Sequence, residues 1–509
     1  MPPPVCLALA VLLACATSWG QVRPGSGPAY LVYAGPYPSS PPSAFGHLFL
    51  LFDPGDGSPL PLWDAVSYGV ETQDVGSLSY FVKGIVGGYR GSFTVTPFNR
   101  KSRDYQVVED RDLWFVRLQL PEAQLATLID AVGQSQSAQL PYSFFHRNCA
   151  YYVQGLLCQA IPAVPEPRLF TSPAGVISRV IKAGVAPQGF RRLSQSQYLA
   201  ARFRDGARLG APPSAEPPVG RRPPWNGPLT ELTVEDRLVL MDLLEWRSAH
   251  AKSGPDSASM ATLAMLRRLN ATSAAPDVHE DSAADARSQD WNPGVLPPYG
   301  KLTAGWRLTD TGPRVSLRYR PAMHAVADPG TGYRPINTLE LLAVEVSRGG
   351  RSTRMDEFIL FSQTSLNPID CVSRRRSWFV EAAARRGSVF GAHPVRYGLG
   401  SGLGRTYLHG RCTYFYALGT LGVQFVHSRA AALTPGLSMG ACLIPSGAGW
   451  RLGTWATAET DASRPHRRSV AAGAWVRRDI GSRAGVEVTA KARGHRWDAA
   501  SSLVCALGP

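Results

Sequence analysis

Two residues, Cys149 and His47, carry the types and spacing that chemistry needs. Cys149 lies in Tyr142–Cys158, YSFFHRNCAYYVQGLLC. Asn148 stands where an N-cap belongs, and Tyr152, Val153, Leu156 and Leu157 follow at helical spacing. The pattern predicts a helix with Cys149 in its first turn. Unpaired N–H groups and the positive end of the helix dipole favour a thiolate there, and a thiolate is a nucleophile. A buried structural cysteine on a core helix is the competing reading, and a base upstream tips the balance toward chemistry.

That base is His47, about a hundred residues earlier, at the head of HLFLLF. Alternation puts His47, Phe49 and Leu51 on one strand face and Leu48, Leu50 and Phe52 on the other. A thiol nucleophile needs a base or an imidazolium beside it. His146, just before the N-cap, is the reserve base. A third group should orient the imidazole; Ser67 and Asp64, on the next strand, are both candidates. The oxyanion site is expected from the Cys149 backbone N–H, aided by the Asn148 side chain. Tyr68, beside Ser67, is assigned to substrate contact. Lys83 and Arg90, in the glycine-dense KGIVGGYRG, are assigned to anionic headgroups. That loop predicts a tight hairpin and no phosphate cradle, because no helix with a Lys-Ser/Thr start follows it. No His-x-x-x-His pair, CxxC or GxSxG occurs, so neither a metal site, a cofactor nor a serine nucleophile is expected.

The chain has 509 residues, 44% hydrophobic, enough for two or three domains with real cores. Its net charge of +15 comes almost entirely from arginine; only six of the basic residues are lysines. The arginines are scattered, which argues against a nucleic-acid partner and fits contact with anionic lipid or polymer. Val5–Ala16 is an apolar run followed by small residues, so residues 1–20 read as a secretory signal cleaved after Gly20. No later stretch is long and apolar enough for a transmembrane helix. Export permits disulfides, and one or two are expected among Cys371, Cys412, Cys442 and Cys505. Cys149 and Cys158 would lie about 13 Å apart along one helix, too far to bridge.

The organisation follows from texture. Residues 29–208 read as an α+β catalytic domain, mainly β to residue 120, with helices opening at Pro121, Asn148 and Ser172. A Pro-rich linker spans 209–228, a small helical insert 229–272 behind a Thr233–Asp236 capping box, and a second linker 273–299. From 300 to 509 the segments alternate in runs of about ten residues, as bilayer-spanning strands do. An antiparallel β-barrel is expected there, with a soluble sandwich as the alternative.

SAFGHLFLLF, VSYG, the stretch from Tyr80 to Leu120 and YSFFHRNCAYYVQGLLC together resemble the Lnb N-terminal periplasmic domain family over residues 29–195. The β-rich remainder is similar to the C-terminal domain that accompanies many such proteins. The resemblance matches His47 to the family's Gly-His motif and Cys149 to its Asn-Cys motif. It implies a permuted papain-like fold, akin to NlpC and lecithin:retinol acyltransferase enzymes, performing Cys/His acyl transfer through a thioester. The expected substrate is a lipid or lipoprotein at a membrane, in the periplasm or outer membrane. A cell-wall peptidase or amidase acting on peptidoglycan is the second reading. A non-catalytic outer-membrane barrel with a periplasmic binding domain is the third.

Overall fold

The computed structural model describes the chain outside residues 1–21, 24–26, 38–45, 71–82, 85–86, 145, 169–170, 205–227, 251–256, 273–287, 292–299, 310–311, 325–336, 351, 370–371, 373–374, 387–394, 411, 427–430, 446–448, 463, 481–483, 494–495 and 508–509. The expected signal segment and the Pro-rich linker up to residue 227 lie outside the described residues. The chain divides into two compact units, residues 1–199 with 227–294, and 200–226 with 295–509.

The first unit is built on an antiparallel sheet. Its strands are β1 (Ala29–Ala34), β2 (His47–Phe52), β3 (Asp64–Gly69), β4 (Tyr89–Pro97), β5 (Leu113–Leu118), β6 (Leu140–Tyr142), β7 (Gln188–Arg192) and β8 (Ser288–Trp291). They lie in the order β6-β4-β3-β2-β1-β5-β7-β8. The two most apolar segments, AYLVYA and HLFLLF, are the central pair, and Leu48 through Leu51 are wholly buried. Each such side chain contributes about 1.5–3 kcal/mol. On one face Val32, Phe49, Leu51, Ala65, Leu113 and Phe115 pack beneath Phe98 and Tyr105. Those two rings come from a short helix, α1 (Phe98–Ser102), and the π-helical turn 103–108 that continues it.

The other face carries helices. α2 (Glu122–Ser135) packs on α3 (Cys149–Ala160), and α4 (Pro173–Lys182) packs on α3 and β1. The Tyr152 ring of α3 lies 4.3 Å from that of Tyr68. α5 (Gln195–Arg204) is anchored by buried carboxylates. Asp112 accepts from Ser194 N at 2.7 Å, and Asp110 accepts from the backbone and hydroxyl of Ser196. α6 (Val234–His250) starts on the expected cap, with Asp236 N donating to Thr233 Oγ1 at 3.1 Å. It pairs with α7 (Ser257–Thr272). These two helices are not a detached insert: His250 Nε2 lies 3.0 Å from Val108 O, and Gln195 Nε2 donates to Asp242 O. Likewise β8 falls inside the stretch expected to be a second linker, because it pairs with β7 and extends the sheet.

The second unit contains β9 (Gly300–Thr309), β10 (Gly312–Arg320), β11 (Ala322–His324), β12 (Asn337–Gly349), β13 (Ser352–Ser365), β14 (Pro368–Ile369), β15 (Ser377–Arg386) and β16 (Val395–His409). It continues with β17 (Thr413–Val426), β18 (Ala432–Leu443), β19 (Trp450–Asp461), β20 (Arg464–Ile480), β21 (Ala484–Arg493) and β22 (Arg496–Leu507). Twelve of these form staves, each antiparallel to its neighbours, and β10 pairing with β12 closes the barrel. Short β11 and β14 add to β12 and β16.

Alternation along the staves puts apolar side chains outside. Trp306 is 70% exposed, and Leu308, Leu399, Leu403, Leu421, Val476, Val488 and Leu503 all stand out from the wall. An outward apolar band on a closed barrel is the surface that faces a bilayer. Between the outward residues lie the charges. Arg307 reaches Glu345 at 2.8 Å, Asp356 at 3.3 Å and Asp498. Arg318 reaches Glu340 at 2.8 Å and Glu357 at 3.1 Å.

Flat rings cover bare backbone on the same side of the wall. Trp455 pairs with Gly473 and Trp475 with Gly453. A Cβ on Gly453 would stand 2.6 Å from the Trp475 ring, and one on Gly473 2.8 Å from Trp455. Among the described residues no helix is long and apolar enough to cross a membrane.

The expected disulfides are not formed: Cys412, Cys442 and Cys505 are free thiols, and Cys371 lies outside the described residues. Cys442 is instead packed with Leu366, Tyr414 and Leu418, and Cys505 sits on a distant stave, β22.

Two outcomes follow from this architecture. Gly46 has φ +86°, and a Cβ there would lie 2.2 Å from the Tyr33 ring. Gly46→Ala is expected to destabilise the first unit by at least about 1–3 kcal/mol, read from urea denaturation of the full chain. In the barrel, Leu403→Arg is expected to cost about 2–4 kcal/mol in liposomes, where the same change in detergent-free urea has no folded barrel to perturb.

Candidate active site

The loop before α3 is held in place by small contacts. Ser143 Oγ accepts from the backbone of His146 and Arg147, and Phe144 N donates to Gly84 O at 2.8 Å. The Phe144 ring lies so close over Gly84 that a Cβ there would be 2.0 Å away. Gly91 is similarly pressed against Tyr68. The glycine-dense loop therefore serves close packing.

Asn148 is the N-cap of α3, with Oδ1 accepting from Tyr151 N at 3.0 Å. Its amide nitrogen donates to Phe144 O and Thr171 O. Both donors are committed, so the expected oxyanion role of the Asn148 side chain gives way to a capping role. Cys149 is the first helical residue, buried and free. Its sulfur receives the backbone N–H of Leu48, which links the helix start to the start of β2.

His47 opens β2 beside that amide. Its ring packs on Tyr105 at 5.8 Å and Phe49 at 6.3 Å. Nε2 lies 3.1 Å from Ser67 Oγ. Of the two orienting candidates, Ser67 is thus the one at the imidazole. Asp64 instead binds Arg23, accepting from its backbone N–H at 2.9 Å and from Nε at 3.1 Å. The imidazole leans to the face covered by the π-helical turn, whereas α3 covers the opposite face. The Cys149 sulfur lies on the amide of Leu48, the residue after His47, and among the described residues no hydrogen bond joins His47 to that sulfur.

The electrostatics depart from the expected thiolate. Burial pushes the Cys149 thiol up, outweighing the lowering by the N–H groups of Leu48, Ala150 and Cys149 and by Arg111. Burial, then Lys101, then Arg111 hold His47 well below the usual histidine value. Both groups are therefore neutral at rest, a thiol and an imidazole. Buried Tyr105 is pushed up as well and stays a neutral phenol.

The remaining assignments fare unevenly. Tyr68 is fully buried and donates its hydroxyl to Leu140 O at 2.9 Å, within electrostatic reach of Cys149. Arg90 is exposed and donates to Gln139 O, and Lys83 sits 5.9 Å over the Tyr89 ring. His146 packs edge-on against Tyr151 at 5.8 Å. Arg111, Tyr105 and Lys101 were missed, because residues 99–112 show no clean period on either side of the π-helical turn. No group of three metal-ligating side chains occurs among the described residues.

Residues 25–183 match the family described as the Lnb N-terminal periplasmic domain, and residues 299–501 match a domain of unknown function, DUF7840. No curated protein matches the chain. Solved structures similar to it include the KdgM porin, at 9% identity and a TM-score of 0.27 over 41% of this chain and 99% of that one. The NanC porin is 6% identical with a TM-score of 0.27 over 41% and 99% of the two chains. The Acinetobacter baumannii outer membrane protein Omp33 is 10% identical with a TM-score of 0.25 over 42% and 100%. Residues 25–183 belong to the Lnb N-terminal periplasmic domain family, here joined in one cell-envelope protein to a closed twelve-stave barrel.

Proposed function

We propose that the first unit is a thiol-dependent acyl-transfer enzyme, with Cys149 as nucleophile and His47 as general base. The observation that carries this reading is the free Cys149 at a helix N-terminus, its sulfur on the amide of Leu48, the residue that follows His47 on β2. With Nε2–H donating to Ser67 Oγ, Nδ1 is left unprotonated and takes the thiol proton as sulfur attacks an acyl carbonyl. The C–S bond forms, the carbonyl oxygen becomes an oxyanion against backbone N–H groups, and the leaving alcohol or amine departs with the proton from His47. An amine or water then attacks the thioester and releases Cys149 as a thiol. The neutral resting pair suits general-base attack better than a preformed ion pair. The substrate class is a lipid or lipoprotein acyl ester; the same steps would cut a cell-wall peptide. The separation of imidazole and sulfur by a missing hydrogen bond favours a second reading, a domain that only binds, beside a barrel that anchors.

Incubating the full chain in liposomes with phospholipid plus lipopeptide, and separately with peptidoglycan fragments, separates these readings by product mass. Cys149→Ser and His47→Ala should each lower turnover by about 10²–10⁴-fold. An unchanged rate in both variants leaves the binding reading. The pH profile has a defined sign. His47 must be neutral to act, and its value lies below the usual 6.5. The acid limb of kcat/KM should therefore fall below pH 6.5, with activity kept as pH drops through that value and lost only at lower pH.

A further inference from the structure

The inside of the barrel is filled at one end. Inward side chains alternate with the outward apolar ones, so their burial reports how the lumen is occupied. Near the end where β9 begins, Lys301, Arg320, Ser377, Thr406, Arg451 and Arg477 face inward, and each is at most 7% exposed. They sit on three neighbouring pairs of staves, β9 with β10, β15 with β16 and β19 with β20. Two staves separate each pair from the next, so the burial is spread round the circumference. Long cations are almost never buried unless a partner holds them. Here Arg451 and Arg477 both donate to Asp479, at 2.7 and 3.0 Å. Arg320 donates to Thr303 Oγ1 at 3.0 Å and pairs with Glu340 at 3.5 Å. The connection between β13 and β15 turns in over the same end. Asn367 N donates to Ser377 Oγ at 3.0 Å, and Leu366 packs with Tyr414, Leu418 and Cys442. Toward the other end the lumen is wetter: the side chains of Arg385 and Lys491 are 44% and 52% exposed.

We infer that the barrel is a cup, sealed at the end where β9 begins, and that it anchors the chain in a bilayer without passing ions or solutes. The seal has an ionic side, the Asp479 clasp, and an apolar side, the inturned connection with the cluster around Leu418. A water-filled channel is wetted from mouth to mouth. Among the described residues, a path through this ring would wet at least some of its members. The inference concerns the second unit alone and stands apart from the catalytic reading.

Cys442 is a native probe of the seal, since its thiol belongs to the apolar side and is 6% exposed. The test reconstitutes the full chain in liposomes loaded with potassium chloride and adds a small cationic methanethiosulfonate. The parent should hold its chloride as protein-free vesicles do, and peptide masses should show Cys442 unlabelled. The chain unfolded in urea gives the reference for full labelling. The triple change Arg451→Ala, Arg477→Ala and Asp479→Ala removes the whole clasp, so none of the three is left buried without its partner. That variant should release chloride and label Cys442 while still migrating as a folded barrel before boiling. Chloride release by the parent overturns the sealed cup, whatever the variant does. A folded variant that stays tight and unlabelled overturns the clasp as part of the seal.

Discussion

One guanidinium holds the candidate site together. Arg111 is almost wholly buried, ties the ends of β1 through Ala34 O and Gly35 O, pairs with Glu109 and lies 4.8 Å over the Tyr105 ring. Each of these contacts fixes a segment that the site needs. β1 registers β2 through Ala34 opposite His47, and Tyr105 supports the imidazole. A buried cation with several charge-assisted partners is costly to disrupt, by about 3–5 kcal/mol when one partner is lost. It also adds to the field in which both His47 and Cys149 titrate, behind burial in each case and behind Lys101 at His47.

That field explains why the resting chemistry is neutral. A helix N-terminus alone favours a thiolate, and three N–H groups do lower the Cys149 thiol. Desolvation is larger, because the sulfur lies under the sheet end with little water. The same burial and two nearby cations keep the imidazole uncharged. The barrel solves the opposite problem. Its charges are gathered between the outward apolar residues and paired, as around Arg307, so that the outside stays apolar.

Much of this was legible in the residues. The Asn148 cap, the helix it opens, the alternating faces of HLFLLF and the barrel staves all rest on local period and capping chemistry, which act within a few residues. The Thr233–Asp236 cap was readable for the same reason. What stayed hidden depends on partners far away in sequence. Asp64 and Ser67 looked equivalent on one strand, and only the three-dimensional placement of Arg23 and His47 separates them. Tyr68 looked like a contact residue, because its burial is contributed by Tyr152 and Leu140, more than seventy residues away. The cysteines of the barrel suggested bridges, yet Cys412, Cys442 and Cys505 are free thiols.

The π-helical turn has a consequence for how the domain tolerates change. Glu109 N reaches Asp104 O, five residues back, so this turn holds one residue more than an α-turn would. The added residue lets both Tyr105 and Gln106 turn inward, one onto the imidazole and the other to Leu193 O. Deleting a single residue here would tighten the coil and swing the phenol off the histidine. Length in this short segment, more than side-chain identity, is what keeps the aromatic roof over the site.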